Sequence, residues 1–425
     1  MKETIEVNIP YGTGSIKTSI PLANYQGTAV PVQPLQPVEN DVEEIKRALR
    51  HPFGTPPLSQ LVKANDKIAI IVSDNTRPTP TRCILGPVLA ELHDKGIRPG
   101  AITIIIACGL HEPSPLSSLI LMLGQDILDR YKVVNHDADD NNNLVLAGYT
   151  STGIPVKINR IVYEADVRIS IGSIDPHRFA GWSGGGKNIL PGVAARETVN
   201  AHHILLQEPT VRLGITEGNP FREQLEEAAK LGKLDFIINV VLTSQKKIAC
   251  VVVGDLVAAH RAGVEFAHER MKVKVEKLAD VVIASPGGAP RDGEFWQTEG
   301  KCLGPIADIV KTGGIVIAVA QCLKGIGNAE FAHFLSSMNV GEMEEELQKG
   351  PFSMALAKAY KFAKLAEKAT VYLLTEGITG EQFPKIPVKI ITTLEETIGQ
   401  IIESNSEVSI LIVPDAAGVV MNVAD

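Results

Sequence analysis

Unbroken runs of branched apolar residues recur along the whole chain. They are KIAIIVS (67–73), AITIIIA (101–107), DVRISIG (166–172) and DFIINVVL (235–242), then DVVIAS (280–285), GGIVIAV (313–319), TVYLLT (370–375) and VSILIVP (408–414). A strand with one wet face alternates apolar and polar side chains. A run without alternation suits a strand covered on both faces, as in a parallel sheet. Parallel strands need long crossovers, and helix-forming sequence fills several intervals: ILGPVLAELHDKG (84–96), FREQLEEAAKLGK (221–233) and DLVAAHRAGVEFAHERMK (255–272). This alternation predicts an α/β architecture of mainly parallel sheets flanked by helices.

The 425 residues exceed one ordinary domain. A long helical stretch ends near 273–278 and a new set of strands begins, which divides the chain into domains 1–275 and 276–425. Residues 28–40 are proline-rich and read as irregular. A net charge of −8 without a basic run points to small-molecule chemistry and away from nucleic acid. No apolar run reaches the length of a membrane span, and MKETIEVNIPYG lacks the apolar stretch of a signal peptide. The five cysteines show no metal-ligand spacing. These features predict a cytoplasmic protein with reduced thiols and no membrane partner.

Ligands of open α/β sheets sit beyond the carboxyl ends of strands. Four strand exits here carry polar chemistry amid glycine and proline. They are DNTRP with Asp74, Thr76 and Arg77; CGLHEP with Cys108 and His111; SIDPHRFAGWSGGGK with Asp175, His177 and Lys187; and PGGAPRDGEFWQTEGK with Arg291, Trp296, Gln297 and Lys301. Together they predict a site at a shared sheet edge.

The stretch GWSGGGKN (181–188) nearly spells a phosphate-binding loop, but Asn188 stands where Ser or Thr would hold magnesium. Such a loop needs a strand directly before it and a helix starting at the lysine. Pro191 and Gly192 fall in the second turn of that helix, where proline costs roughly 3 kcal/mol. Two other accounts remain: a solvated lysine on a glycine turn, or an amine that anchors a ligand covalently. Downstream, ETVNAHHIL (197–205) predicts a helix on which only one of His202 and His203 faces a given site. A lone histidine holds a metal weakly, so further ligands would come from a cofactor. His111 and His177 follow different strands and either serve as two acid/base groups or make local turn contacts.

SDNTRP, GLHEPS, PHRFAGWSGGGKNILPG and His203, sixteen residues after Lys187, together resemble the nickel-pincer lactate racemase family. The resemblance runs from the N-terminus to VPDAAGVV near the end. It implies a racemase or epimerase of lactate or a related 2-hydroxy acid, working by hydride transfer to and from a nickel-pincer nucleotide. That cofactor is the nickel complex of pyridinium-3-thioamide-5-thiocarboxylic acid mononucleotide, made by dedicated cofactor-synthesis enzymes. By the same resemblance Lys187 forms the covalent link and His203 binds nickel. His111 and His177 are the acid/base pair, and Arg77, Gln297 and Lys301 hold the substrate. Asp74, Thr76 and Trp296 line the cofactor, and the site lies in the cleft between the two domains.

Some positions depart from the family pattern. Gly186 replaces an arginine before the linking lysine, Asn75 a histidine, and Met354 a tryptophan near GPFSM. The lysine expected three residues past Gln297 is Gly300, with Lys301 next to it. These changes touch the substrate pocket and leave room for a 2-hydroxy acid other than lactate. Three other functions compete: a nucleotide-dependent enzyme using GWSGGGKN, a cofactor-free racemase with Cys108 as a base, and a non-catalytic hydroxy-acid-binding protein.

Overall fold

All eight apolar runs form strands, and among the described residues two six-stranded sheets take them up. The computed structural model describes residues 3–31, 33–349, 352–386 and 388–423; Gly350 and Pro351 of the GPFSM stretch lie outside these. The chain forms two compact units, Leu35–Arg270 on the one hand and Met1–Pro34 with Met271–Asp425 on the other.

The sheet of the Leu35–Arg270 unit runs Ile248–Gly254, Phe236–Leu242, Val167–Ser173, Ile68–Ser73, Ile102–Ala107, Lys132–Asn135. Every neighbouring pair is parallel except the first. Every residue of Ile68–Ser73 and Val167–Ser173 is buried, which is why their sequences do not alternate. Ile68, Ile70 and Val72 join a core with Ile45, Leu49, Ile84 and Val88 from helices Asp41–Arg50 and Thr81–Asp94. Ala69 and Ile71 face the opposite core, with Ala228 and Ala229 of helix Pro220–Leu231. Each fully buried Ile or Val contributes about 1.5–3 kcal/mol. The chain runs from Ile68–Ser73 outward to Ile102–Ala107 and Lys132–Asn135, then returns on the other side as Val167–Ser173. The order reverses between Ile68–Ser73 and Val167–Ser173, the arrangement that opens a crevice beyond the strand ends.

The second sheet runs Val388–Ile391, Thr370–Leu374, Val310–Val319, Ala279–Ala284, Ile410–Val413, Tyr25–Thr28, with all pairs parallel. The contiguous 1–275 domain expected from the sequence therefore divides otherwise. Tyr25–Thr28 is an edge strand of the C-terminal sheet, and the proline-rich stretch carries the crossing between units at Pro34 and Leu35. The second crossing, at Arg270 and Met271, falls slightly before the expected boundary. Buried Asn24 ties the N-terminal segment down: its Nδ2 donates to the carbonyls of Ser406 and Val408, each at 2.9 Å. Among the described residues no helix is long and apolar enough to cross a membrane.

Asn24→Ala leaves those two carbonyls without their donor. The expected cost is about 1–3 kcal/mol, read as a lower urea midpoint by a probe placed in the Met271–Asp425 segment. An unchanged midpoint would mean that the N-terminal strand is not part of this unit's stability.

Candidate active site

The strands Val167–Ser173, Ile68–Ser73 and Ile102–Ala107 are neighbours, and Ser73 pairs with Ala107. DNTRP, CGLHEP and SIDPHRFAGWSGGGK therefore leave one sheet edge, next to the point where the strand order reverses.

Asp74 is buried, and both its carboxylate oxygens are engaged. Oδ2 lies 2.6 Å from His111 Nδ1, and Oδ1 accepts from Thr76 Oγ1 at 2.7 Å and Thr76 N at 3.2 Å. Burial pushes this carboxyl up, but the His111 and Thr76 bonds and the Arg77 charge outweigh it and hold it below its ordinary value. An ionised carboxylate only accepts, so His111 Nδ1 carries a proton and Nε2 is the nitrogen turned away from Asp74. The His111 side chain is 50% exposed, so Nε2 can meet a ligand. Asp74 and Thr76, expected to line a cofactor, have here a role that the sequence did not assign, which is to orient a histidine.

His177 is held the other way round. The two-residue strands Pro176–His177 and Gly181–Trp182 pair, and the turn aims the Phe179 and Ala180 amides back at the ring. Nδ1 accepts from those amides at 3.2 and 3.1 Å. A doubly accepting Nδ1 has no proton, so the neutral ring carries its hydrogen on Nε2. One sheet edge thus presents two imidazoles whose Nδ1 atoms play opposite parts, one donating and one accepting.

Lys187 lies in the tight turn Gly185–Asn188. Two amides flanking it are engaged: Gly185 N donates to Asn239 Oδ1 at 2.8 Å, and Ile189 N to Gly186 O at 2.9 Å. Asn188 reaches into the strand reversal instead of toward magnesium. Its Nδ2 donates to Ile171 O at 2.8 Å and Ser170 Oγ at 3.0 Å, and its Oδ1 accepts from Ser73 Oγ at 3.4 Å. Gly181 has φ +70°, and a Cβ there would lie 1.9 Å from Ile215 O, so no other residue fits. A Cβ at Gly186 would meet the Ala229 Cβ at 2.6 Å, which leaves no room for an arginine.

Lys187 is half-buried, and its charge acts on His202, His203 and His260. His202 is buried against Phe221, with ring centroids 3.9 Å apart, and its Nε2–H donates to Phe221 O at 2.8 Å. His203 is half-buried and donates Nδ1–H to Val199 O at 2.6 Å, so Nε2 is the nitrogen by which this ring could bind a metal. Burial pushes His203 down to about 4, with the Lys187 charge adding to it, so the ring is neutral at physiological pH. Cys108 is buried and bonds Asn135 Oδ1 at 3.4 Å; burial pushes the thiol up, the wrong direction for a base.

Trp296 and Gln297 lie on the short helix Phe295–Thr298 of the other compact unit, and Lys301 on the π-helical stretch Glu299–Leu303 that follows. All three are half-buried.

What holds the lysine loop leaves no mark in the sequence. Arg222, fully buried on helix Pro220–Leu231, donates to the carbonyls of Ala180 (3.1 Å), Gly184 (3.3 Å) and Trp182. Burial lowers its guanidinium to about 10, so it remains a cation at neutral pH. His260 donates Nε2–H to Ser183 O at 2.8 Å, and its Nδ1 accepts from Arg261 at 3.1 Å. These side chains bond only the backbone of the loop, and backbone carbonyls have no sequence signature. Arg222→Met would strand three carbonyls. The expected cost is about 3 kcal/mol in chemical denaturation, with new protease cleavage in 177–190, whereas a wild-type midpoint and cleavage pattern would show that the clamp is idle.

A sequence profile described as Lactate racemase N-terminal domain matches residues 11–214, and one described as Lactate racemase C-terminal domain matches 274–421. The lactate racemase of Thermoanaerobacterium thermosaccharolyticum is 36% identical over 329 residues, 76% of each chain. That of Lactiplantibacillus plantarum is 30% identical over 428 residues, 98% of this chain and 100% of the other. The solved lactate racemase apoprotein from T. thermosaccharolyticum has a TM-score of 0.90 at 31% identity, covering 98% of this chain and 100% of that one. A Thermotoga maritima protein, with a TM-score of 0.68 at 18% identity, shares the fold. With both profiles matched and relatives at this identity over most of its length, the chain belongs to the lactate racemase family.

Proposed function

We propose that this chain is a racemase of lactate or a related 2-hydroxy acid, acting with a nickel-pincer nucleotide tethered to Lys187. The observation that carries the proposal is a histidine pair held in opposite senses at one sheet edge: His111 donates from Nδ1 to Asp74, and His177 accepts at Nδ1 from two amides. Interconversion of a stereocentre needs one group to take the hydroxyl proton and another to offer a proton to the same oxygen.

The residues present fit the cofactor. His203 is a neutral imidazole whose other nitrogen is fixed by a backbone carbonyl, as metal-binding histidines commonly are. Among the described residues no group of three His, Cys, Asp or Glu side chains could hold a metal ion, so nickel at His203 would take its remaining ligands from the organic part of the cofactor. Lys187 is the amine close enough to act electrostatically on His203. When bound, the nucleotide supplies an acceptor for the α-hydrogen with its electron pair, as hydride.

The chain's own work is proton handling and binding. His111 Nε2 takes the hydroxyl proton, and the Asp74 carboxylate stabilises the imidazolium that forms. Because the α-hydrogen would leave with its electron pair, no second negative charge builds up at carbon beside the substrate carboxylate. His177 Nε2–H donates to the substrate oxygen. To act as the acid His177 would take a proton from water at Nδ1, giving up the Phe179 and Ala180 amides, and pass its Nε2 proton to that oxygen; the neutral ring left, with its lone pair at Nε2, is the base for the opposite enantiomer. Arg77, with its planar fork, is assigned to the substrate carboxylate, together with Gln297 and Lys301. Trp296 is assigned to lining the cofactor. The protein would act in the cytoplasm, after maturation by the cofactor-synthesis enzymes.

Matured protein given D-lactate with deuterium at C2, in ordinary water, should yield L-lactate that keeps the label. Loss of the label to solvent would contradict hydride movement and favour proton abstraction at carbon. Lactate binding with no interconversion would mark a binding protein.

A further inference from the structure

Helix Met354–Lys368 turns an apolar face inward, with Ala355, Leu356, Ala359, Phe362 and Ala363 buried. Lys358 lies among them and is only 8% exposed. Its Nζ donates to the Trp296 carbonyl, stands 3.7 Å from the centroid of the Trp296 ring, and lies 3.3 Å from Glu299 Oε2. Glu299 is itself 1% exposed. A buried ion pair is a poor stability device, because desolvation commonly cancels the attraction and an apolar pair of similar volume does as well or better. The pair therefore calls for an explanation in what it holds.

All three contacts fall on residues 296–299, where helix Phe295–Thr298 runs straight into the π-helical stretch Glu299–Leu303. Short π segments inside helices concentrate at functional sites. The carbonyl that Lys358 grips belongs to the peptide joining Trp296 to Gln297. A Cβ on Gly300 would lie 3.3 Å from the same Nζ, so the glycine leaves the ammonium its place.

We infer that Lys358 is a positioning residue for substrate recognition. By holding the Trp296–Gln297 peptide it sets the aim of the Gln297 amide, and Gly300 is the space that this grip requires. The inference rests on the proposed role of Gln297 in holding the substrate carboxylate.

Lys358→Met keeps the length of the side chain and removes the charge. In matured protein the KM for lactate should rise roughly tenfold, about the worth of one charge-assisted hydrogen bond, with kcat changed far less. Gly300→Ala, which crowds the ammonium, should give the same split. The double variant Glu299→Gln/Lys358→Met separates positioning from mere charge balance. Positioning predicts that its KM stays raised, and a return to the wild-type KM would overturn the inference. Calorimetric binding of pyruvate provides a readout apart from turnover. If wild-type protein interconverts no 2-hydroxy acid, the racemase proposal fails. The Lys358 inference then still stands if Lys358→Met weakens pyruvate binding about tenfold, and falls if binding is unchanged.

Discussion

The candidate site depends on a loop whose backbone is held from three sides. Asn188 fastens it between two parallel strands, Asn239 takes the Gly185 amide, and Arg222 gathers three of its carbonyls. Glycines let the chain come this close, since at Gly181 even a methyl group would collide with Ile215. A flexible composition thus yields a fixed loop. Its helical continuation is absent, so the loop offers an amine where a phosphate loop would offer amides. Burying the Arg222 charge is costly, and three carbonyls plus the nearby Glu226 offset that cost.

The same logic of backbone and buried charge sets the histidines apart. His111 is oriented by an ionised aspartate, whereas His177 is oriented by two amides of its own turn. Identical side chains on two exits of one sheet, either side of Ile68–Ser73, thereby use Nδ1 in opposite senses, one donating and one accepting. At His202 and His203 burial makes the distinction. The first is closed off against Phe221, and the second is fixed through Nδ1 by Val199 O and lies within the field of Lys187. Residues adjacent in sequence point different ways on a helix, so one becomes core and the other a candidate ligand.

Much of this was legible in the sequence. The eight apolar runs predict strands because burial on both faces leaves no room for polar alternation, and residues 68–73 and 167–173 show that directly. For three of the four polar strand exits the shared edge also carried over, because parallel strands in register bring their ends together; the fourth, after Ala279–Ala284, leaves the other sheet. The domain division carried over near residue 270 but not at the N-terminus, whose first 34 residues belong with the C-terminal segment. Parallel pairing of Tyr25–Thr28 with Ile410–Val413 joins segments from opposite ends of the chain, and no local pattern encodes such a partner. Arg222 and His260 were illegible for a related reason, since they recognise carbonyls that every residue has. Asn188 looked like a defect in a phosphate motif, and its function as a clamp appears only once the two strands lie side by side.

The central claim is that the Lys187 amine is the attachment point of a nickel-pincer nucleotide. Its most direct test is the intact mass of protein produced together with the cofactor-synthesis enzymes, alongside Lys187→Ala produced the same way. The account predicts added mass matching the nucleotide in the first and none in the second. An unchanged mass in fully matured wild-type protein, or the same added mass in Lys187→Ala, would contradict it.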